Sequence, residues 1–184
     1  MRFLGEPAPP VLIASVARMS AAISGVFIFN PACRCAHAGY SLMRQSGTMI
    51  EIRRSTESDG QAVYDLLWSA RAEIPLRDSF DTSESCAWVK KHCSEGHMWV
   101  ALDGTTIVGF LFRNLDELFY LVVATKYRGD GVGRSLLRKG KRKGTYCKIK
   151  PHNTAAISLV EAEGFVKSDQ LTPGDWVRYD YKQA

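Results

Sequence analysis

The stretch YLVVATKYRGDGVGRSLL, residues 120–137, joins an apolar run to a leucine-rich one through Gly129, Gly131 and Gly133. The apolar run is typical of a buried strand, and the leucines that follow indicate a helix. A strand, a glycine-rich turn and a helix in this order bring free amides and the positive end of a helix dipole to one point. The glycines would let the backbone approach a bulky anion and adopt positive φ. The stretch therefore predicts an anion-binding turn.

Other glycine-rich binding motifs do not match this stretch. The dinucleotide fingerprint G-x-G-x-x-G does not fit, and no acidic residue follows about 20 positions later. The P-loop pattern G-x-x-x-x-G-K-[ST] does not fit either. The triplet Arg128-Gly129-Asp130 is also found in adhesion sites, but a strand–helix connection is an unsuitable place for one.

Hydrophobic periodicity divides residues 49–184 into alternating elements. Ile50 and Ile52 indicate a first strand, Thr56–Asp59 resembles a capping box, and the helix that follows is expected to run to Pro75. Strands are expected at 97–102, 106–113, 117–124, 146–150, 165–167 and 177–181. Further helices are expected after a cap at Thr82 or Ser83, after the glycines with Val132 on the inner face, and over 153–163. The order β-α-α-β-β-β-α-β-α-β-β predicts an α/β (α+β) domain with a mixed sheet and helices on both faces.

Residues 1–48 differ from the rest of the chain. They contain one acid, Glu6, and show no sustained helical or strand period. The apolar stretch 11–29 is interrupted by Arg18 and Gly25, which makes it a poor membrane span, and its proline-rich approach is too long for a signal peptide. We predict that 1–48 is a disordered extension or follows a misassigned start, with a transit peptide as the alternative. The folded domain would then comprise residues 49–184.

Charge is distributed unevenly in a chain whose length and 46% hydrophobic content suit one globular domain. Residues 51–125 hold 7 Lys/Arg against 12 Asp/Glu, whereas residues 126–150 hold 10 Lys/Arg against Asp130 alone. This pattern suggests a polyanionic ligand near the second segment and a cationic one near the first. Solvation of a helix end explains the lysines and arginines of 139–143 equally well. A nucleic-acid binder built on 138–143 lacks interleaved aromatic residues.

Five cysteines and no clear secretory signal favour reduced thiols in the cytoplasm over a disulfide framework. Cys86, His92, Cys93 and His97 could form a zinc site. Cys86, Val89 and Cys93 instead fall on one helix face, where cysteine behaves as a small hydrophobic residue. We therefore expect no metal.

The glycine stretch resembles a known family motif. Residues Arg128 to Gly133 resemble the R/Q-x-x-G-x-G/A acetyl-coenzyme A motif of GNAT-type N-acetyltransferases. Downstream, NTAAISLVEAEGF at residues 153–165 is similar to the family's N-x-x-A-I-x-L-Y-x-x-x-G-F segment. Two motifs in the right order form a stronger signal than either alone. The resemblance covers residues 49–184 and implies a GNAT-like, mainly antiparallel central sheet.

This resemblance implies acetyl-coenzyme A as co-substrate. Amides between Gly129 and Arg134 would bind its diphosphate, and the arginines and lysines of 128–143 would suit the other phosphates. The pantetheine arm pairs with the preceding strand in the family, so Val123 N–H would polarise the thioester carbonyl. Asn153 would cap its helix or reach the arm. The implied cofactor residues are Val122, Val123, Arg128, Gly129, Asp130, Gly131, Val132, Gly133, Arg134, Ser135, Asn153 and Ala156.

The family reaction is direct attack of an amine on the thioester, which requires one proton to leave the amine and one to reach the thiolate. Glu117 stands eleven residues before Arg128, where some histone-acetylating members carry a glutamate base; a solvated strand-start acid is the alternative. Glu73 and Asp116 are lesser candidates. In place of the family's tyrosine proton donor the chain has Val160. The proton would come from water, Tyr120, Tyr127 or Ser158, or the thiolate leaves unaided, or catalysis has been lost.

The leading prediction is an N-acetyltransferase acting on a primary amine of a small molecule or a protein. The alternative is a coenzyme A-binding regulatory module without catalysis, which Val160 favours. Neither nucleic acid nor membrane is an expected partner. The acceptor amine and the oligomeric state stay open, a homodimer being one option.

Overall fold

A computed structural model describes residues 26–27, 49–74, 83–170 and 172–182. The strands are β1 (Val26–Phe27), β2 (Ile50–Arg54), β3 (Met98–Asp103), β4 (Thr106–Asn114), β5 (Glu117–Val123), β6 (Tyr146–Ile149), β7 (Phe165–Lys167) and β8 (Val177–Tyr181). The helices are α1 (Gly60–Ser69), α2 (Ser83–Ser94), α3 (Val132–Gly140) and α4 (Thr154–Ala162). From β2 onward this is the predicted order of strands and helices.

The sheet is mixed and mainly antiparallel, as predicted. Seven strands follow the order β2-β3-β4-β5-β6-β8-β7, and β1 lies off this path beside β5. Only the β5–β6 and β1–β5 pairs are parallel among the described strands. The parallel β5–β6 pair covers just Glu117 with Tyr146 and Leu118 with Cys147, so these strands separate beyond Leu118.

Helices cover both faces of the sheet, as predicted, because alternate strand residues point to opposite sides. On one face, side chains from α1 and α2 pack with Phe110, Phe112 and Val122 of the sheet. On the other, side chains from α3 and α4 pack with Leu111, Leu121 and Val123. All seven residues of β5 are buried, as expected of a central strand.

The first helix begins at a capping box, as the sequence predicts. Thr56 and Asp59 bond reciprocally in the 3-10 turn that precedes α1, and Arg53 donates two hydrogen bonds to Asp59, at 2.7 and 2.9 Å. The Arg53 hydrogen bond, helped by those from Thr56, lowers the pKa of Asp59 to about 2. The pair fixes the chain between β2 and α1.

Helix α1 is shorter than predicted. It ends at Ser69 rather than near Pro75, because the chain tightens into i→i+3 turns, with Ala70 N donating to Leu67 O at 3.2 Å and Arg71 N to Trp68 O at 3.1 Å. Ile74, placed on the helix face by the sequence, is still buried in the core.

The predicted extension, residues 1–48, lies outside the described residues except for β1. Val26 and Phe27 pair in parallel with Tyr120 and Leu121 of β5. No helix in the described ranges combines the length and apolarity that crossing a membrane requires.

Candidate active site

The glycine stretch forms a tight connection between β5 and α3. After β5, Thr125–Tyr127 makes one 3-10 turn, Gly129 and Gly131 follow with φ of 86° and 80°, and α3 begins at Val132. Residues with a Cβ rarely adopt such φ values, so the turn requires these two glycines. Gly133 already belongs to the first turn of α3 and is buried.

The amides of this turn are directed to the N-terminal end of α3. The first backbone bond of the helix is from Ser135 N to Gly131 O, at 3.0 Å. Amides before Ser135 precede any intrahelical acceptor, as at every helix N-terminus. The turn therefore presents consecutive donors where the helix dipole is positive, as an anion site requires.

A β-bulge interrupts β5, the strand that leads into this turn. Tyr120 opposes Phe112 and Leu118 opposes Arg113, so Phe119 is an extra residue in β5. A bulge bends its strand and increases the local twist. It lies next to Leu118, the last residue of β5 that pairs with β6, and so accounts for the separation of these strands.

The register between β4 and β5 decides which backbone groups of β5 point away from β4, toward the edge that parts from β6. Ala124 N donates to Val108 O at 2.9 Å, and Val122 opposes Phe110 two residues earlier. Hydrogen-bonded and non-bonded pairs alternate in antiparallel strands, so Val122 bonds to β4 whereas Leu121 and Val123 face away from it. The prediction that Val122 offers backbone groups to a ligand therefore does not agree with this register, in which the backbone groups of Leu121 and Val123 are the ones directed away from β4.

Arg128 braces the turn. Its Nε donates to the Val123 carbonyl at 2.9 Å, and its Nη1 lies 3.0 Å from Glu73 Oε2. The side chain is 10% exposed. The predicted phosphate-binding guanidinium is thus held by the strand end and by a carboxylate.

The basic segment after the turn converges on one buried acid. Glu163 carboxylate oxygens lie 3.3 Å from Arg134 Nε, 2.9 Å from Arg138 Nε and 3.0 Å from Lys141 Nζ. Its side chain is 3% exposed. Arg142 pairs with Asp116 at 2.8 Å. Many of the basic side chains predicted to bind phosphates therefore form ion pairs that hold α3 to the end of α4, and we call this group of ion pairs around Glu163 the clamp.

Glu117 lies where β5 and β6 still pair. Tyr146 Oη donates to Glu117 Oε2 at 2.9 Å, and Lys148 Nζ lies 3.0 Å from Oε1. Burial and the Glu117 hydrogen bond raise the pKa of Tyr146 to about 12. The carboxyl is buried, not a solvated strand-start acid. The sequence gives no sign of Tyr146 and Lys148 at this carboxylate, since only the parallel pairing of two strands distant in the chain brings them there.

Comparison with known proteins identifies the domain. Residues 94–167 match the family model described as acetyltransferase (GNAT) domain, a segment that runs from the end of α2 to the end of β7 and includes the glycine turn. The chain contains a GNAT domain. Curated protein sequences give no match to it.

Solved structures share the GNAT fold. A GNAT-family acetyltransferase from Bacillus cereus is 17% identical, with a TM-score of 0.57 over 74% of this chain and 99% of that one. The diaminobutyrate acetyltransferase EctA from Paenibacillus lautus, solved with L-2,4-diaminobutyric acid and coenzyme A, is 20% identical, with a TM-score of 0.54 over 73% and 95%. The yncA protein from Salmonella typhimurium, solved with acetyl-CoA, is 20% identical, with a TM-score of 0.53 over 72% and 91%.

The second motif of the GNAT domain forms helix α4. Asn153 Oδ1 accepts a hydrogen bond from Ala156 N at 3.2 Å, so Asn153 is an N-cap, one of its two predicted roles. Ala156, predicted to contact the cofactor, is fully buried in the core and its amide is used by this cap. Ser135 and Asp130 lie at the turn, in the first turn of α3 and just before it.

The predicted proton donors of the GNAT domain occupy different surroundings. Tyr127 Oη donates to Asp103 at 2.7 Å, Tyr120 is buried with its pKa raised by that burial, and Ser158 is exposed. Val160 is fully buried in the core. A tyrosine introduced at 160 would overpack this core, at about 1–3 kcal/mol, so the Val160→Tyr variant is a poor test of the missing donor.

Proposed function

We propose that this GNAT domain transfers the acetyl group of acetyl-CoA directly to a primary amine. The observation that carries the proposal is the position of the positive-φ glycine turn directly after the bulged strand β5. Beyond Leu118 this strand has parted from β6, and in the described residues only Val26 and Phe27 of β1 pair with that edge. The glycine turn binds the diphosphate through its backbone amides, and the edge of β5 offers strand-like hydrogen bonding to the extended pantetheine arm.

Each part of the cofactor has a candidate partner. Amides from Gly129 to Arg134 bind the diphosphate, and backbone groups of Leu121 and Val123 pair with the pantetheine arm. Val123 N–H polarises the thioester carbonyl, with Leu121 N–H as the second candidate. The amine nitrogen attacks this carbon, the carbon–sulfur bond breaks, and the thiolate leaves and takes up a proton.

Glu117 is the proposed base, acting on the attacking ammonium. Glu117→Gln is expected to lower turnover at least about tenfold near neutral pH and less at high pH, where the free amine needs no base. Acetyl-CoA affinity should be unchanged. Initial rates of thiol release across pH measure this.

The matched control is Asp116→Asn, which changes the neighbouring acid, whose partner is Arg142 on the surface. Its rates should follow the parent protein at every pH. Equal rates for Glu117→Gln and the parent protein would remove Glu117 from the mechanism.

The acceptor class follows from charge. The acidic excess over residues 51–125 favours a cationic amine, such as a polyamine-like molecule, a lysine or a protein N-terminus. Residues 75–80, predicted to lie over the acceptor side, are outside the described residues. A panel of amines assayed for free thiol tests the proposal, and release with at least one cationic amine is the expected result.

The second candidate is a coenzyme A-binding regulatory module. The fully buried valine at position 160 favours it, because that side chain has no proton to give. Tight acetyl-CoA binding without thiol release over the whole panel would support this module and contradict the transferase.

Residues 49–184 are proposed to be the complete catalytic unit, acting in the cytoplasm. A protein that begins at Met49 is expected to keep its unfolding midpoint, because the pairs that build the sheet lie within 50–181 and β1 adds only two. Acetyl-CoA affinity should stay the same or rise, since β1 occupies the edge of β5 proposed for the arm. Thermal unfolding and calorimetry measure both; loss of either folding or binding would contradict it.

A further inference from the structure

The end of helix α2 brings three metal-binding side chains together, away from the glycine turn. His92 lies in the last turn of α2, Glu95 follows the helix, and His97 precedes β3. His92 Nδ1 is 3.0 Å from His97 Nδ1, and Glu95 Oε2 is 3.3 Å from the first and 3.4 Å from the second.

A helix-ending turn fixes this arrangement. Gly96, with φ of 68°, turns the chain back, and His97 N donates to His92 O at 3.1 Å while Gly96 N donates to Cys93 O at 3.2 Å. These bonds form the Schellman pattern of helix termini. The backbone therefore holds both histidines beside each other without help from a ligand.

The separations match those of a metal coordination sphere. Ligand atoms at about 2.0–2.1 Å from a tetrahedral zinc ion lie about 3.3 Å apart. We propose that His92 Nδ1, Glu95 Oε2 and His97 Nδ1 bind one zinc-type divalent transition metal ion, with solvent at the fourth position. His92 is mostly buried, whereas Glu95 and His97 are 37% and 39% exposed, which leaves an open side for that solvent.

Neighbouring groups suit the ion. The ring of His92 is mostly buried, and the neutral imidazole is the form that ligates metals. Trp88 and Phe112 pack against its ring and fix its orientation. Lys91 is 3.8 Å from Glu95 Oε1, which leaves Oε2 to the histidines.

The proposed site does not include Cys86 or Cys93, the two cysteines that the sequence suggested as zinc ligands. Cys93 is buried against Met98, and Cys86 contacts Gln61. The ion would tie the end of α2 to the start of β3 through nitrogen and oxygen ligands alone. This departs from the expectation of no metal.

Cobalt and zinc titrations of the full-length protein test the site. All proteins carry Cys33→Ser and Cys35→Ser, because two thiolates that precede His37 by four and two residues in the sequence could bind metal separately. Titration with Co²⁺, followed by visible absorption and by competition with Zn²⁺, is expected to give one equivalent with no thiolate charge-transfer band. Glu95→Gln and His97→Gln should each weaken binding at least about 100-fold, since removal of outer-sphere partners alone costs 10–100-fold.

Matched controls change the same residue types elsewhere. Glu84→Gln lies in the first turn of α2, and His152→Gln is an exposed histidine outside the cluster. Both should bind metal like the parent. Zinc should raise the unfolding midpoint of the parent and the controls but not of the two site variants. Equal affinity in site variants and controls, thiolate ligation, or no binding at millimolar metal would overturn the proposal.

Discussion

Gly131→Asp is expected to abolish measurable acetyl-CoA binding, with affinity falling at least about 100-fold. The new side chain would stand at the N-terminal end of α3, where it adds a negative charge and a Cβ among the amides proposed to bind the diphosphate. Removing one charge-assisted hydrogen bond between an amide and a phosphate costs about 1.5–3 kcal/mol. Isothermal calorimetry with acetyl-CoA measures the change.

Gly144→Asp separates this effect from backbone strain. Gly144 has φ of 84°, close to the 80° of Gly131, and a Cβ there would meet nothing within 4 Å. Aspartate tolerates this conformation better than most residues. The two variants should therefore be destabilised to a similar extent, while Gly144→Asp binds like the parent. Equal affinity in both variants would contradict the proposed diphosphate site.

Glu163→Gln is expected to destabilise the fold by about 2 kcal/mol. Its buried carboxylate binds Lys141 and Arg138, and Lys141 Nζ also donates to the Glu163 carbonyl at 2.6 Å. Charge-assisted hydrogen bonds contribute about 1.5–3 kcal/mol each, but Arg134 and Arg138 are more than half exposed and add little because solvent screens their charges. Urea unfolding at neutral pH measures the difference.

The same variant should change how stability depends on pH. Burial acts to raise the pKa of Glu163, but hydrogen bonds from Arg138 and Lys141 lower it overall. A lowered folded-state pKa gives stability that is present above the unfolded value, about 4.3, and is lost as pH falls below it. The gap between parent and Glu163→Gln should therefore shrink as pH falls from about 5 toward 3. The exposed Glu161→Gln serves as control; a gap that stays constant with pH would contradict the clamp.

The order and type of the strands and helices could be predicted from the sequence because local patterns encode them. The alternation at 50–53 and the capping box at Thr56–Asp59 are short-range signals, and both formed as predicted. The turn glycines could also be predicted from the sequence, since residues with a Cβ rarely adopt the positive φ found at Gly129 and Gly131.

Pairings between segments that are distant in the chain could not be predicted from the sequence. The extra residue Phe119 depends on how β5 pairs with β4, and this register directs the backbone groups of Leu121 rather than those of Val122 away from β4. Likewise, the basic segment after the turn gives no sign in the sequence that its side chains form ion pairs with Glu163, which lies more than 20 residues further along the chain. Long-range register and ion pairing are properties of the folded chain.

Amide resonances of the glycine turn test the central claim most directly. In ¹⁵N-labelled full-length protein, coenzyme A should shift the amide signals of Gly129, Gly131, Val132, Gly133 and Arg134. Pantetheine, which lacks the diphosphate, should leave them in place. If millimolar coenzyme A leaves these signals unmoved in a folded sample, the diphosphate does not bind there and the proposed chemistry fails with it.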